Sequence, residues 1–321
     1  MNGICGLGNI GNTCYINATL QILAQMDELN NYLTCRQNLR NLHDSVLVFE
    51  WIQLFAMIQK NHCSIVPGRF IERMRQVAHK KNRPEFSSPQ QNDSIDYFEF
   101  MLDCIHLSLE NLDPSLILSS RCKEVQGYLS DSIKKSHSII PQLFQSCTLY
   151  QYRNPINKEK EFYKIEHDYR IGVSIPDRDH VTLYDCLKET FRDELMDGDN
   201  AWYDEKNKIK KTVYKQTALC HMPTYLVLHL KRWRDDLSKK NACIETPILL
   251  DMMPFTLYPE PCHYKLFGII NHDGDIDRGH YYAYVHKNEQ WFSLNDGFIQ
   301  TIPESSLFHS GNYCLFYRKI K

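Results

Sequence analysis

A chain of 321 residues with 43% hydrophobic and 24% charged side chains reads as a globular protein long enough to bury a substantial core. Its formal net charge of -2 argues against a duplex binder held by a broad basic field. No stretch approaches the ~18 consecutive apolar residues of a membrane helix, and the opening MNGICGLGNIGN has neither a basic nor a long apolar signal region.

Gly3, Gly6, Gly8 and Gly11 crowd the start of the chain and predict a tight loop whose bare backbone can approach another segment closely. A helix is expected over 14–25, with Asn12 or Thr13 as N-cap and Tyr15, Ala18, Ile22 and Leu23 along one face. Two more follow over about 42–59 and 69–81. PEFSSPQQNDS (84–94) reads as a loop feeding a helix over 93–110, capped by Asp93 or Ser94. Past about residue 120 come short segments rich in β-branched and aromatic residues, among them TVYKQTALC, TYLVLHLKRW, YKLFGIINH and NYCLFYRKI, interrupted by one helix over 182–195. Helices first and strands later predict an α+β protein, with a cleft between a helical lobe and a sheet lobe.

Cys14 opens the first helix, where free N–H groups and the helix dipole favour a thiolate nucleophile. It is also one of 12 scattered cysteines without a C-x-x-C pair, the pattern of reduced thiols in a cytosolic or nuclear setting. Taken alone, the segment suits a buried structural thiol as well as a nucleophile.

A nucleophile needs a base and the base an orienting partner. RGHYYAYVHKNEQWFSLNDG (278–297) reads as a β-hairpin turning near Lys287–Asn288. That register sets His280 opposite Asn295, Tyr284 opposite Trp291 and Ala283 opposite Phe292. Tyr281, Ala283, Val285, Phe292 and Leu294 then share an apolar face, and His280 and Asn295 share the other. The Asn295 oxygen is placed to accept from the His280 ring and fix its tautomer. An isolated His–Asn pair on a surface hairpin would be unremarkable; the two segments gain force together.

GLGNIGNTCYINATLQIL (6–23) and GIINHDGDIDRGHYYAYV (268–285), the latter followed by WFSLND (291–296), resemble the cysteine and histidine boxes of the ubiquitin-specific protease family of deubiquitinating cysteine proteases. QNDSIDYFEFMLDCIH (91–106), TLYDCLKETFRDELMDGDNAW (182–202) and MPTYLVLHLKRW (222–233) fit in order between them, so the resemblance covers essentially the whole chain. It implies a papain-like fold, a single catalytic domain over 1–321, with a helical thumb (about 1–115), β fingers with connecting segments (about 116–222) and a β-sheet palm (about 223–321). It implies Cys14 as nucleophile, His280 as general base, Asn295 as third member, Asp296 as polar helper and Asn9 as oxyanion-hole side chain. Gln91, Asp93 and Tyr281 match positions that bind ubiquitin's C-terminal tail. The implied partners are ubiquitin and ubiquitinated proteins, with no nucleic acid, no membrane and a monomeric catalyst; the implied location is cytoplasmic or nuclear.

The chain departs from the family in places. Many members carry two C-x-x-C pairs that bind a structural zinc in the fingers; DEKNKIKK (204–211) and CTLYQYRNPINKEK (147–160) stand there instead, so no cofactor or metal is expected. The Lys-rich run 206–215 reads as a solvated hairpin tip. Trp233 replaces the usual Phe, Leu294 stands where Phe is usual, and Asn92, Ser94, Asp96 and Tyr97 drift from the family's choices. The motifs run nearly end to end, so no accessory domain is expected. Two other readings keep part of the chemistry: a ubiquitin-binding module without turnover, and an enzyme acting on a ubiquitin-like modifier.

Overall fold

The structure, a computed structural model, describes residues 3–36, 39, 42–60, 63–113, 123–178, 180–205, 207–258, 260–275 and 278–320. The thumb–fingers boundary expected near 115, Cys122 and Lys206 lie outside the described residues.

The N-terminal half is helical: α1 Cys14–Leu23, α2 Asp27–Thr34, α3 Val46–Lys60, α4 Gly68–Lys80, α5 Pro84–Ser87 and α6 Ser94–Ser108, then α7 Lys123–Lys135 and α8 Ile139–Phe144. α1 is buried along its whole length. A helix buried all round must satisfy its polar side chains internally. Gln21 Nε2 donates to the Cys5 carbonyl at 2.7 Å, Asn17 Nδ2 to the Leu7 carbonyl at 3.0 Å, and Thr19 Oγ1 to the Ser94 carbonyl at 3.0 Å. These bonds tie the opening loop and the start of α6 to the helix that carries Cys14. α6 begins as expected, with the Asp93 carboxylate accepting the Ile95 N–H at 2.7 Å.

Strands β1 Ser146–Arg153, β2 Lys160–Asp168, β5 Glu194–Met196 and β8 Val213–His221 form a four-stranded sheet in the order β2-β1-β8-β5. A larger, mostly antiparallel sheet runs β15-β14-β13-β12-β16-β9-β3, with β11 also paired to β12. Its members are β3 Ile171–Ser174, β9 Tyr225–Lys231, β11 Leu249–Asp251, β12 His263–Gly274, β13 Gly279–Lys287, β14 Gln290–Asn295, β15 Phe298–Ile302 and β16 Asn312–Lys319. Two small pairs complete the set: β4 Val181–Thr182 with β10 Ile244–Glu245, and β6 Trp202–Asp204 with β7 Ile209–Lys211.

The large sheet is covered on both faces, and alternation divides its side chains between two cores. Tyr225, Val227, Ala283, Val285 and Phe316 join the core shared with α1, α3 and α6. Leu226, Leu228, Leu230, Leu315 and Tyr317 join the one under α9 Leu183–Thr190. The four-stranded sheet rests on α7 through Val125, Leu129 and Cys147. Near its far end Tyr152, Phe162 and Trp202 pack with ring centroids 5.9–6.2 Å apart.

Several expectations need correction. The stretch 84–94 is not wholly loop: Pro84 starts the one-turn α5, and buried Phe86 anchors it against Tyr97 and Phe100. The helix expected over 182–195 stops at Thr190. A Thr182–Asp185 capping box sets its start, and Glu194–Met196 pairs instead with β8 as an edge strand. α2, α7 and α8 were not anticipated. The capping function of Ser138, which accepts the Ile140 N–H at 3.1 Å, is the local signal that marks α8.

The β13–β14 hairpin differs in register. Its turn centres on Asn288 and Glu289, both with positive φ (50° and 60°), and Lys287 pairs with Gln290, Val285 with Phe292 and Ala283 with Leu294. No glycine marks the turn, so the sequence leaves its centre one position ambiguous. Moving the centre by one residue shifts every partner by two and preserves the faces. Tyr281, Ala283, Val285, Phe292 and Leu294 are all buried on the α1 side.

Candidate active site

Three backbones meet beside the start of α1. Leu7 N donates to the Asp296 carbonyl at 2.8 Å, Gly8 N to the Ile65 carbonyl at 2.8 Å, and Ile65 N to the Gly6 carbonyl at 2.9 Å. Gly6 lies so close to the β14–β15 turn that a Cβ there would stand 2.5 Å from the Gly297 carbonyl oxygen. That is the close approach the glycine-rich opening called for.

Asp296, in the left-handed region at φ 49°, knits this junction together. Its Oδ1 accepts from Asn17 Nδ2 at 2.8 Å and its Oδ2 from Asn9 Nδ2 at 3.0 Å. Asn9 Oδ1 in turn accepts from Gly11 N, Thr13 N and Thr13 Oγ1 at 3.0–3.3 Å. Thr13 occupies the N-cap of α1, but its hydroxyl makes no cap bond; it accepts from Ile10 N at 3.1 Å and organises the loop. The helix therefore presents its first turn with no side-chain cap on its N–H groups.

Cys14 is the first residue of α1 and is buried. His280, near the start of β13, gives its Nε2 to Asn295 Oδ1 at 2.7 Å and lies 4.0 Å from Asp296 Oδ2. Continuing the observed register would set Tyr282, not His280, across from Asn295. The imidazole thus reaches the carboxamide along a diagonal, a separation long side chains span. The His280 pKa is pushed up to about 9. Its hydrogen bond with Cys14 is the main cause, burial opposes it, and the Asn295 bond and the charges of Cys14 and Asp296 add to it. With Nε2 engaged by Asn295, Nδ1 is the nitrogen left for the sulfur. The structure thus brings together Cys14, His280, Asn295, Asn9 and Asp296, drawn from both ends of the chain.

A cavity of about 430 Å³ leads to Cys14 and is lined by Tyr15, Gln91, Asp93, Trp233, His272 and Tyr281 among others. Gln91 spans it: Nε2 donates to the Gly279 carbonyl at 3.1 Å, and Oε1 accepts the Gly279 N–H at 3.3 Å. Asp93 is committed at both oxygens, one to its helix cap and the other to the Tyr313 hydroxyl. Tyr281 is buried, its ring 4.5 Å from that of His272. The sequence reading missed Trp233 and His272 as wall residues. Burial, helped by Lys239, pushes His272 down to about 4 and keeps it neutral at pH 7. Lys239 Nζ pins that wall by donating to the His272 and Gly274 carbonyls at 2.7 and 3.1 Å. The sequence reading also missed Asn17, three residues after Cys14 on the same helix; a polar side chain within a buried helix was the available signal.

At the far end of the four-stranded sheet, where family members carry zinc-binding cysteines, the side chains do not fit a metal. Asp204 is held by Asn207 and Lys211, and no cluster of three or more His, Cys, Asp or Glu suited to a metal occurs among the described residues.

A thiol at a helix start, an imidazole beside it and a carboxamide holding that imidazole stand together in a cleft between helices and an antiparallel sheet, the residue types of a nucleophile, a base and an orienting group. The family model described as ubiquitin carboxyl-terminal hydrolase matches residues 5–317, and the chain belongs to that family. Ubiquitin carboxyl-terminal hydrolase Usp2 of Drosophila melanogaster is 26% identical over 99% of this chain and 35% of its own length. Human ubiquitin carboxyl-terminal hydrolase 2 is 27% identical over 98% of the chain and 55% of its own. The chain thus spans about a third to just over half of these curated relatives. Among solved structures, the SAGA Ubp8/Sgf11/Sus1/Sgf73 DUB module bound to monoubiquitin matches with TM-score 0.79 and 20% identity, covering 100% of this chain and 70% of the other. The same module bound to ubiquitin aldehyde matches at 0.78 and 21%, again over 100% and 70%. These likenesses establish the shared fold. No helix among the described residues is long and apolar enough to cross a membrane.

Proposed function

We propose that this chain is a cysteine-type deubiquitinase that hydrolyses the isopeptide or peptide bond after the C-terminal glycine of ubiquitin, on conjugated proteins or on polyubiquitin. The observation that carries the reading is the Cys14–His280–Asn295 cluster at the end of a narrow cavity, in a chain of this family. Cys14 Sγ attacks the glycine carbonyl carbon, and the developing oxyanion takes hydrogen bonds from the Cys14 N–H and the Asn9 amide. One Asn9 N–H is held by Asp296, which fixes the plane of the other. His280, charged at neutral pH, gives its proton to the departing amine. It then accepts one from the water that opens the thioester, which frees the ubiquitin carboxylate and releases the Cys14 sulfur as a thiolate beside the recharged imidazole.

Gln91, Asp93 and Tyr281 line the channel for the extended ubiquitin tail. Residues of about 1–115 act as thumb, about 116–222 as fingers and connecting segments, and about 223–321 as palm of one catalytic domain. The catalyst works as a monomer in the cytoplasm or nucleus, without a cofactor; sedimentation of the purified chain tests the first point.

The direct test is ubiquitin carrying a C-terminal electrophile. One adduct is expected, at Cys14, and it should vanish in Cys14→Ala. Folded protein that forms no adduct would overturn the reading. Probes built on ubiquitin-like modifiers distinguish the substrate, and turnover of a ubiquitin–aminocoumarin amide separates an enzyme from a binding module.

A further inference from the structure

The cavity that reaches Cys14 accounts for one side of the scissile bond. The other side has its own surface. Asn9 and Asp296 are not part of that cavity's lining, and beyond them the chain presents three large apolar side chains to solvent. Phe298 is 81% exposed, Val66 66% and Ile10 40%.

These three are brought together by the junction described above. Ile10 follows Asn9. Val66 follows Ile65, which brackets Gly6 and Gly8, and the Val66 side chain sits directly over Gly8: a Cβ there would meet Val66 Cγ2 at 3.3 Å. Phe298 closes the two-residue turn after β14 and pairs directly with Asn295. Cross-strand partners project from the same face of a sheet, so the Phe298 ring stands beside Asn295 on the face that carries His280. Its neighbour Ile299 turns the other way and packs against the core. An aromatic ring left this exposed adds little to folding, and Phe298, Val66 and Ile10 stand on the three segments that meet at the Asn9–Asp296 junction.

We propose that Phe298, Val66 and Ile10 form the docking surface for the protein that carries the scissile amine, and so govern which conjugates are cut. This inference rests on the deubiquitinase reading. Its occupant follows from the chemistry: the ubiquitin tail approaches through the cavity, the carbonyl sits at Cys14, and the amine departs on the far side with a folded protein attached. That protein must lie against whatever surface continues from Asn9 and Asp296. The surface there is apolar and free of ionised groups at its three exposed positions, so it fits an acceptor with an apolar patch beside the modified lysine or N-terminus.

The test compares two leaving groups. Wild type, Phe298→Ser and the Phe298→Ser/Val66→Ser double variant are assayed with ubiquitin–aminocoumarin, whose leaving group is too small to cover the surface, and with di-ubiquitins of every linkage. The double variant is expected to lose about tenfold in kcat/KM on the best-cleaved di-ubiquitin and to stay near wild type on the aminocoumarin amide. Phe298→Trp, which keeps the apolar ring, should retain di-ubiquitin cleavage. Equal losses on both substrates, or no loss on any di-ubiquitin, overturn the inference and leave the deubiquitinase reading standing. A folded wild type that cleaves neither substrate overturns that reading, and this one with it.

Discussion

The junction around Asp296 and the four-stranded sheet both join distant stretches of chain, and they do so by different physics. At the junction the ties are few, polar and directional: Asn17 and Asn9 to Asp296, His280 to Asn295, Leu7 N–H to the Asp296 carbonyl. In the sheet, β1 runs in register with both β2 and β8 over most of its length, backed by the Tyr152–Phe162–Trp202 packing and by the Lys211–Glu161 pair that ties β7 to β2. The first arrangement fixes individual atoms; the second fixes a surface. Substitution should therefore cost chemistry at the junction with little unfolding, and stability at the sheet with little change in the chemical step.

The sharpest probe of that contrast is His280→Ala. It should lower kcat on ubiquitin–aminocoumarin by ~10³-fold or more while the melting temperature stays near wild type, because the ring is partly exposed. Asp296→Ala comes next. Removing the shared acceptor frees the Asn9 amide and should cost ~10²-fold in kcat. A loss of ~1–2 kcal/mol in denaturant unfolding should accompany it, since the buried Asn17 amide keeps only the Leu7 carbonyl.

The pH profile should show the coupling directly. His280 is raised above an ordinary histidine, so its charged form is the favoured one in the fold. Whatever it contributes as imidazolium is complete below the ordinary value near 6.5 and fades as pH rises through about 9. The alkaline limb of kcat/KM should fall there, and Asn295→Ala should move it to lower pH. An unmoved limb would mean that Asn295 does not support the charge.

At the sheet, Trp202→Ala should cost ~1–2 kcal/mol in unfolding free energy and raise KM for ubiquitin substrates, leaving kcat close to wild type. Lys211→Met should do least: a small drop in melting temperature, of which high salt removes only the share owed to the more exposed Glu161 pair, Asp204 being buried. A large kcat effect at either position would erase the distinction between the two regions.

The same contrast explains what the sequence disclosed. Side-chain alternation along 281–294 gives the correct faces of the hairpin, because two-residue periodicity survives an even shift of partner. It does not give the turn, since Asn288 and Glu289 adopt positive φ without a glycine to announce it. The histidine and asparagine were legible as a pair, while their diagonal meeting was not. Asp296 could be named beside Asn295, yet its grip on Asn17 depends on α1 lying across the sheet, a tertiary fact no local pattern carries. α7 escaped notice because only Val125 and Leu129 bury their side chains fully among its described positions, too thin a stripe against its many polar residues.

The Gln91 side chain imitates a neighbouring strand, offering Gly279 one donor and one acceptor where an extended peptide would offer the same two. On the deubiquitinase reading, a tail that pairs with Gly279 exchanges hydrogen bonds with Gln91 instead of adding them. On that reading discrimination shifts from the backbone, which every unfolded segment shares, to the side chains of the tail.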